Sequence, residues 1–194
     1  MVRIYTRAGD GGKTSLGDGT RILKSGPRVD LYGEVDELNS VLGCCVATLR
    51  RPGEADTGSL AADLETIQSG LFDLGAILAD PVRSAEVAQM PESDQPFDAR
   101  PLEKMIDSMD ENLAPLQNFI LPGGSEAAGM IHIARSVCRR AERRAVALAA
   151  DEVLPAGALT YLNRLSDFLF TAARAANAGA GIPDIPWIPN AGDA

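Results

Sequence analysis

Residues 126–150 read EAAGMIHIARSVCRRAERRAVALAA, and their periodicity decides the fold. Met130, Ile131, Ala134, Val137, Cys138, Ala141, Ala145 and Leu148 recur at steps of three and four, which is one apolar stripe of an α-helix. The stripe is rich in small residues, so a neighbouring helix can approach closely. Ser125 is a natural N-cap, and the predicted helix runs from Glu126 to Ala150. A second side stacks His132, Arg135, Arg139 and Glu142 at the same spacing, while Arg140, Arg143 and Arg144 are expected to face water. The planar forks of Arg135 and Arg139 suit a carboxylate or a phosphate in a half-buried place. A salt-bridge ladder along the helix explains them equally well at this level.

Working outward, four more segments carry the same period. Leu31, Val35, Leu38, Leu42, Cys45 and Leu49 predict a helix from Asp30 to Arg51, ended by Pro52 and Gly53. A neighbouring stripe of that helix collects Tyr32, Asp36, Asn39, Ser40 and Gly43. It reads as a site or a close helix contact, with a solvated face as the plain alternative. Leu60, Leu64, Ile67, Leu71, Leu74 and Leu78 predict a helix over 59–79. Leu102, Met105, Ile106 and Met109 predict a shorter one over 98–113, with Pro101 tolerable in its first turn. The last, over 155–178, buries Leu162, Leu165, Leu169, Ala172, Ala173 and Ala176 beside a polar seam of Asn163, Asp167 and Arg174 with Phe170. Between these, the three prolines of Asp80 to Phe97 break the periodicity, so that stretch reads as a long exposed loop. Phe119, Ile120 and Leu121 read by residue type as a core plug. Pro122, Gly123 and Gly124 turn the chain into the next helix. From Gly179 the chain is rich in Gly and Pro, and Trp187 sits in an extended tail expected to dock on something. Five amphipathic helices make an all-α helical bundle.

Ahead of the bundle stands Thr6-Arg7-Ala8-Gly9-Asp10-Gly11-Gly12-Lys13-Thr14-Ser15-Leu16. Its glycines free the backbone to curl its N–H groups inward, and Arg7, Lys13, Thr14 and Ser15 add donors around the same concavity. Met1 to Arg28 holds six basic and two acidic residues, net +4, on a chain whose net charge is −9. A cationic segment on an acidic body points to a specific small anion, such as a polyphosphate, and away from nucleic acid. A flexible Gly-rich arm explains the glycines but not the spaced cations. Gly12-Lys13-Thr14 does not end a Walker P-loop, because that motif needs a glycine five positions earlier, where Arg7 stands.

At 194 residues the chain is long enough for one domain with a sizeable core, and 45% hydrophobic with 23% charged is ordinary for a globular protein. No apolar run approaches the ~20 residues of a membrane span, and Met1 leads straight into the polar motif, so a cytoplasmic location without a membrane is expected. Cys44, Cys45 and Cys138 lack C-x-x-C spacing and are expected to be buried and reduced. The one histidine, with Gly129 three residues before it, rules out the Glu-x-x-His pairs of di-iron bundles. Any metal would arrive with a substrate.

Six motifs in order resemble the PduO-type ATP:cob(I)alamin adenosyltransferases. They are Thr6-Arg7-x-Gly9-Asp10-x-Gly12-x-Thr14-x-Leu16, Arg21-x-x-Lys24-x-x-x-Arg28, Tyr32-Gly33-x-x-Asp36-Glu37-Leu38-Asn39-Ser40, Phe119 to Gly124, His132-x-Ala134-Arg135-x-x-x-Arg139-Arg140-Ala141-Glu142-Arg143, and Tyr161 to Asp167. The resemblance runs from Thr6 to about Ala178. Phe168, where the family more often has tyrosine, and Met130-Ile131, where leucine is commoner, are small departures. What it implies is a five-helix bundle assembled as a homotrimer, with sites between adjacent subunits: an arm over 1–29, a bundle over 30–178 and a tail over 179–194. It implies transfer of the 5′-deoxyadenosyl group of ATP to the cobalt of cob(I)alamin, with Mg²⁺ on the phosphates and triphosphate as the other product. Thr6, Arg7, Gly9, Asp10, Gly12, Lys13, Thr14, Lys24 and Arg28 would form the ATP cradle. Arg139, Glu142 and Asn163 would complete the nucleotide and Mg²⁺ contacts from the facing subunit. Asp36 and Arg135 would form an inter-subunit ion pair near the reacting centre, and Phe119 would crowd the lower face of the corrin. The implied partners are a cob(II)alamin reductase and an adenosylcobalamin-dependent acceptor enzyme. A non-catalytic ATP-sensing or partner-binding trimer on the same bundle is the rival reading.

Overall fold

The computed structural model describes residues 5–51 and 59–189. A short antiparallel hairpin comes first, with β1 (Lys13–Ser15) paired to β2 (Arg21–Leu23) so that Thr14 faces Ile22. Six α-helices follow among the described residues: α1 (Pro27–Leu49), α2 (Leu60–Leu78), α3 (Pro81–Ala88), α4 (Arg100–Asp110), α5 (Glu126–Leu148) and α6 (Ala156–Gly179). The leucine stripes of α1 and α2 are buried along their whole length, as is the small-residue stripe of α5 against α6. Adjacent pairs run α2 to α1, α1 to α5, α5 to α6 and α6 to α4. Tyr161 of α6 brings its hydroxyl against Gly70 of α2 and closes the bundle. Phe168, the departure noted above, is fully buried in this core, where an apolar ring needs no hydrogen-bond partner. None of the described helices is long and apolar enough to cross a membrane.

The helices expected from periodicity are all present, within three residues at each end. The stretch taken for a long loop is not one. Asp80 caps α3 by accepting from the backbone N–H groups of Val82 and Arg83 at 3.0 and 3.1 Å. Pro81 occupies its first turn, where a missing N–H costs nothing. A 3₁₀ turn over Glu92–Asp94 follows. Pro27 likewise starts α1 three residues before the expected Asp30. Cys45 and Cys138 are buried, but Cys44 is exposed, one position off the α1 stripe.

Two contacts fix the hairpin to the bundle. The Gly17 N–H donates to the Ala79 carbonyl at 2.9 Å, and a Cβ at Gly17 would lie 2.6 Å from Cβ of Asp80. Only glycine lets the backbone come this near the end of α2. At the start of α1, Arg28 is buried and donates Nη1 to the Leu78 carbonyl at 2.7 Å and Nε to Glu152 at 2.8 Å. The arm therefore leaves the bundle at the end where α2 and α5 finish.

Candidate active site

The residues of the expected cradle gather around the loop before the hairpin. Arg7 holds a left-handed backbone (φ 62°), as does Gly12 (φ 76°), and successive turns run from the Asp10 N–H to the Arg7 carbonyl and from the Gly12 N–H to the Gly9 carbonyl. Arg7 is a non-glycine in this region, a conformation of the sort concentrated at ligand clamps. Lys24 stands against Gly9, where an added Cβ would meet Nζ at 3.1 Å, and its own N–H donates to the Gly12 carbonyl at 2.9 Å. Arg21 closes the back of the loop through the Ala8 carbonyl at 2.8 Å. Thr6, Arg7, Asp10, Gly12, Lys13 and Lys24 are exposed, with Gly9 and Thr14 half-buried beneath them. Arg28 does not join this group, because its guanidinium is engaged by Glu152 and Leu78 in the bundle.

A second group lies on the α5 and α6 face. Glu142 accepts from Asn163 Nδ2 at 3.0 Å, and both line a groove of about 340 Å³ with Val146, Leu159, Thr160 and Arg164. Arg139, one turn earlier, is exposed and has no ion pair among the described residues. Arg135 is half-buried and its Nε has no hydrogen-bond partner among the described residues; burial, then the Arg139 charge, holds its pKa below the ordinary arginine value. Of the arginines expected in water, Arg143 and Arg144 are exposed and Arg140 is half-buried. Arg140 reaches Glu34 and Glu37, and Arg144 reaches Asp30 at 3.1 Å, so these two tie α5 to α1.

His132, 5% exposed beside the Phe170 ring, has no hydrogen-bond partner for either ring nitrogen among the described residues. Burial first and the Arg135 charge second push its pKa below 6.5, with Asp184 opposing. The unfolded chain therefore takes up this proton before the folded one does. Stability is expected to be full above about pH 6.5 and to decline as pH falls below it. Denaturant midpoints measured across that range should fall less steeply in His132→Phe; an unchanged slope would remove His132 from the account.

Asp36 opens on a different face. It lines a groove of about 430 Å³ between α1 and α2 with Tyr32, Gly33, Asn39, Gly75 and Phe72, whose ring is 69% exposed. Asn39 and Gln68 exchange hydrogen bonds here, and Gly43 lies against Gln68, so part of the polar stripe is a close helix contact. Within one chain Asp36 and Arg135 do not meet, since α1 turns Glu34 and Glu37 toward α5 and Asp36 toward α2. Sequence reasoning missed Phe72. Its signal was an aromatic next to Leu71, one step off the buried stripe.

Phe119 sits at the far end of the bundle. The residues between α4 and α5 are no core plug, because Phe119 is 79% exposed and Leu121 is exposed as well. The tail docks on them. The Leu121 N–H donates to the Ile185 carbonyl and the Trp187 N–H to the Phe119 carbonyl, and the two rings meet edge to face at 6.4 Å. A helix the length of α5 spans ~34 Å, so the arm and Phe119 stand on the order of 30 Å apart in one chain. Arg135, Arg139 and Glu142 lie between those ends.

The family model described as Cobalamin adenosyltransferase matches residues 4–176. A corrinoid adenosyltransferase of Bacillus subtilis is 45% identical over 187 residues, covering 96% of this chain and 92% of the relative. A cobalamin adenosyltransferase of Cupriavidus metallidurans is 41% identical over 191 residues, covering 96% and 95%. Among solved structures, a phenylalanine-to-alanine variant of a PduO-type ATP:corrinoid adenosyltransferase from Lactobacillus reuteri, complexed with cobalamin and ATP, superposes with a TM-score of 0.85 at 39% identity. It covers 95% of this chain and 99% of that one. An arginine-to-lysine variant of the Lactobacillus reuteri enzyme, complexed with ATP, gives 0.83. With the hairpin and nearly all of the bundle inside the family-model match, the chain belongs to the cobalamin adenosyltransferase family.

Proposed function

We propose that this protein transfers the 5′-deoxyadenosyl group of ATP to the cobalt of cob(I)alamin, at sites that two neighbouring copies build together. The observation that carries the reading is Arg139, an exposed fork without an acidic partner among the described residues, next to the Glu142 and Asn163 pair. The neighbouring Arg140 and Arg144 are spent on the fold. The glycine curl with Lys13 and Lys24 grips the triphosphate, and Arg139 of an adjacent copy closes over it. A homotrimer fits because Asp36 and Arg135 are complementary, lie on different faces and form no ion pair among the described residues. A head-to-tail contact of this type makes a ring when the rotation between copies closes, as a threefold does.

The chemistry asks little proton work of the protein. The corrinoid substrate supplies the nucleophile, the bond from cobalt to C5′ forms, and the C5′–O bond breaks with its electron pair leaving on triphosphate. Lys13, Lys24 and Arg139 hold the phosphates in line and offset the charge that builds on the leaving group. No side chain needs to move a proton, which agrees with the only histidine being buried and kept neutral. Among the described residues no cluster of three or more His, Cys, Asp or Glu could hold a metal. A single carboxylate suits Mg²⁺, which keeps waters and is held mainly by substrate phosphates. Glu142, steadied by Asn163, would be that ligand, and the ion would add further neutralisation of the leaving group.

Phe119 presents an exposed ring where the corrin's lower face would rest, and so keeps an axial ligand from the cobalt. Trp187, packed on Phe119, extends the tail over the same place. This aromatic pair favours the enzyme over an ATP sensor, which has no use for it. The chain acts as one domain in the cytoplasm, where ATP is supplied. A one-electron reductase and an acceptor for adenosylcobalamin are its partners. An anaerobic assay with ATP, Mg²⁺ and chemically reduced cobalamin is expected to show the optical change of the alkyl product. ATP binding without that change would leave the sensor.

A further inference from the structure

We propose that Arg174 is a positioning residue for the corrinoid half of the reaction, acting through the two strands that carry Phe119 and Trp187. The proposal rests on the reading that Phe119 faces the corrin. Arg174, on the last turns of α6, is 7% exposed. Its Nη2 donates to the Ala114 carbonyl at 2.6 Å, on the segment leading to Phe119, and its Nε donates to Asp184 at 2.8 Å, on the segment leading to Trp187. One guanidinium thus grips both strands of the ribbon, five residues before Phe119 on one and three before Trp187 on the other.

The ribbon has little other support. Beneath it lies a cavity of about 650 Å³ lined by Ile120, Pro186 and the stretches 112–118 and 181–184, with Arg174 against its wall. Phe119 itself turns away from this cavity, toward a separate groove of about 350 Å³ that it shares with Trp187. The strands are joined to each other by only a few backbone hydrogen bonds. One turn further on, Asn177 pins the far end of the segment: Oδ1 accepts from the Ser125 N–H and Nδ2 donates to the Gly123 carbonyl, both at 2.9 Å. Gly124 (φ 109°) leaves no room there for a side chain. With Asn177 fixing one end and Arg174 the other, the exposed ring is held over a hollow at a set height.

Two acceptors in different directions need a planar fork. Lysine offers one ammonium on a flexible stem and can satisfy one of them well. Arg174→Lys and Asp184→Asn should therefore loosen the ribbon while leaving the arm, on the order of 30 Å away, untouched. The test compares these two variants with Phe119→Ala and with Phe119→Ala/Arg174→Lys, fitting KM and kcat for each substrate starting from cob(II)alamin with a chemical reductant. Each single ribbon variant is expected to lose about tenfold in kcat/KM for the corrinoid, with KM for ATP within about twofold. In the Phe119→Ala background Arg174→Lys should cost clearly less than it does alone, because the share of its effect that passes through the Phe119 ring is already lost and only the Trp187 strand is left to loosen. Equal effects on both substrates, or full additivity with Phe119→Ala, would make Arg174 merely structural and overturn the proposal. A Phe119→Ala variant with unaltered corrinoid kinetics would instead overturn the reading of Phe119 beneath it. Asp184→Asn, in the tail and 23% exposed, keeps the test open should Arg174→Lys fold poorly.

Discussion

Arg139→Ala is expected to lower turnover about 10²- to 10³-fold, the scale on which removing one preorganised donor for developing charge acts. Thermal stability should hardly change, because Arg139 is exposed and has no ion pair among the described residues, and such surface substitutions stay within about 0.5 kcal/mol. The separation of the two readouts is the point. An arginine of the salt-bridge ladder kind would lose stability and keep its rate. Arg139→Lys should recover only part of the loss, since a point charge cannot grip two phosphate oxygens at once. Purified Arg139→Ala enzyme with near-normal kcat would remove the arginine from the transition state and the proposed site with it.

The second large effect concerns the contact between copies. In the assembly proposed above, Asp36→Arg would place a like charge opposite Arg135 of the neighbouring copy, whose Nε is buried and has no hydrogen-bond partner among the described residues. Like charges brought together in a desolvated place cost several kcal/mol. The variant is expected to fall apart to smaller species by sedimentation and to lose activity about 100-fold or more. Adding Arg135→Asp restores opposite charges and should recover assembly and part of the rate, an interaction that single variants cannot report. Unchanged assembly in Asp36→Arg would separate Asp36 from the interface. The exposed Phe72 ring beside Asp36 would then need another cover.

Much of the bundle was legible because burial on a helix writes itself as a period. The stripes from Leu31 to Leu49 and from Leu60 to Leu78 are buried as read, and Ser125 caps α5 by accepting from the Ala128 N–H. Helix starts at proline were not legible. Pro27 and Pro81 look like breaks in a string of residues, and only the backbone N–H groups beyond them show that each opens a helix. Side-chain commitments were hidden for a related reason. Nothing local distinguishes Arg28 or Arg140, taken up by Glu152 and by Glu34 with Glu37, from Arg139, which has no ion pair among the described residues. Their partners are more than a hundred residues away or on another helix. The exposure of Phe119 was equally invisible by residue type, and only the motif around it suggested a purpose.

In the proposed site, the anchoring of Gly17 to Ala79 and of Arg28 to Glu152 would bear on how fast and how tightly nucleotide is captured. A free leader of this length would lose backbone freedom at nearly every residue when it wrapped a ligand, on the order of 1 kcal/mol apiece. Here the hairpin and both anchors are made within the chain itself, so in the proposed site the ordering left for capture would fall on the few positions from Thr6 to Gly12. Preorganisation of this kind lets a handful of cations compete for a strongly hydrated polyanion without a large binding surface.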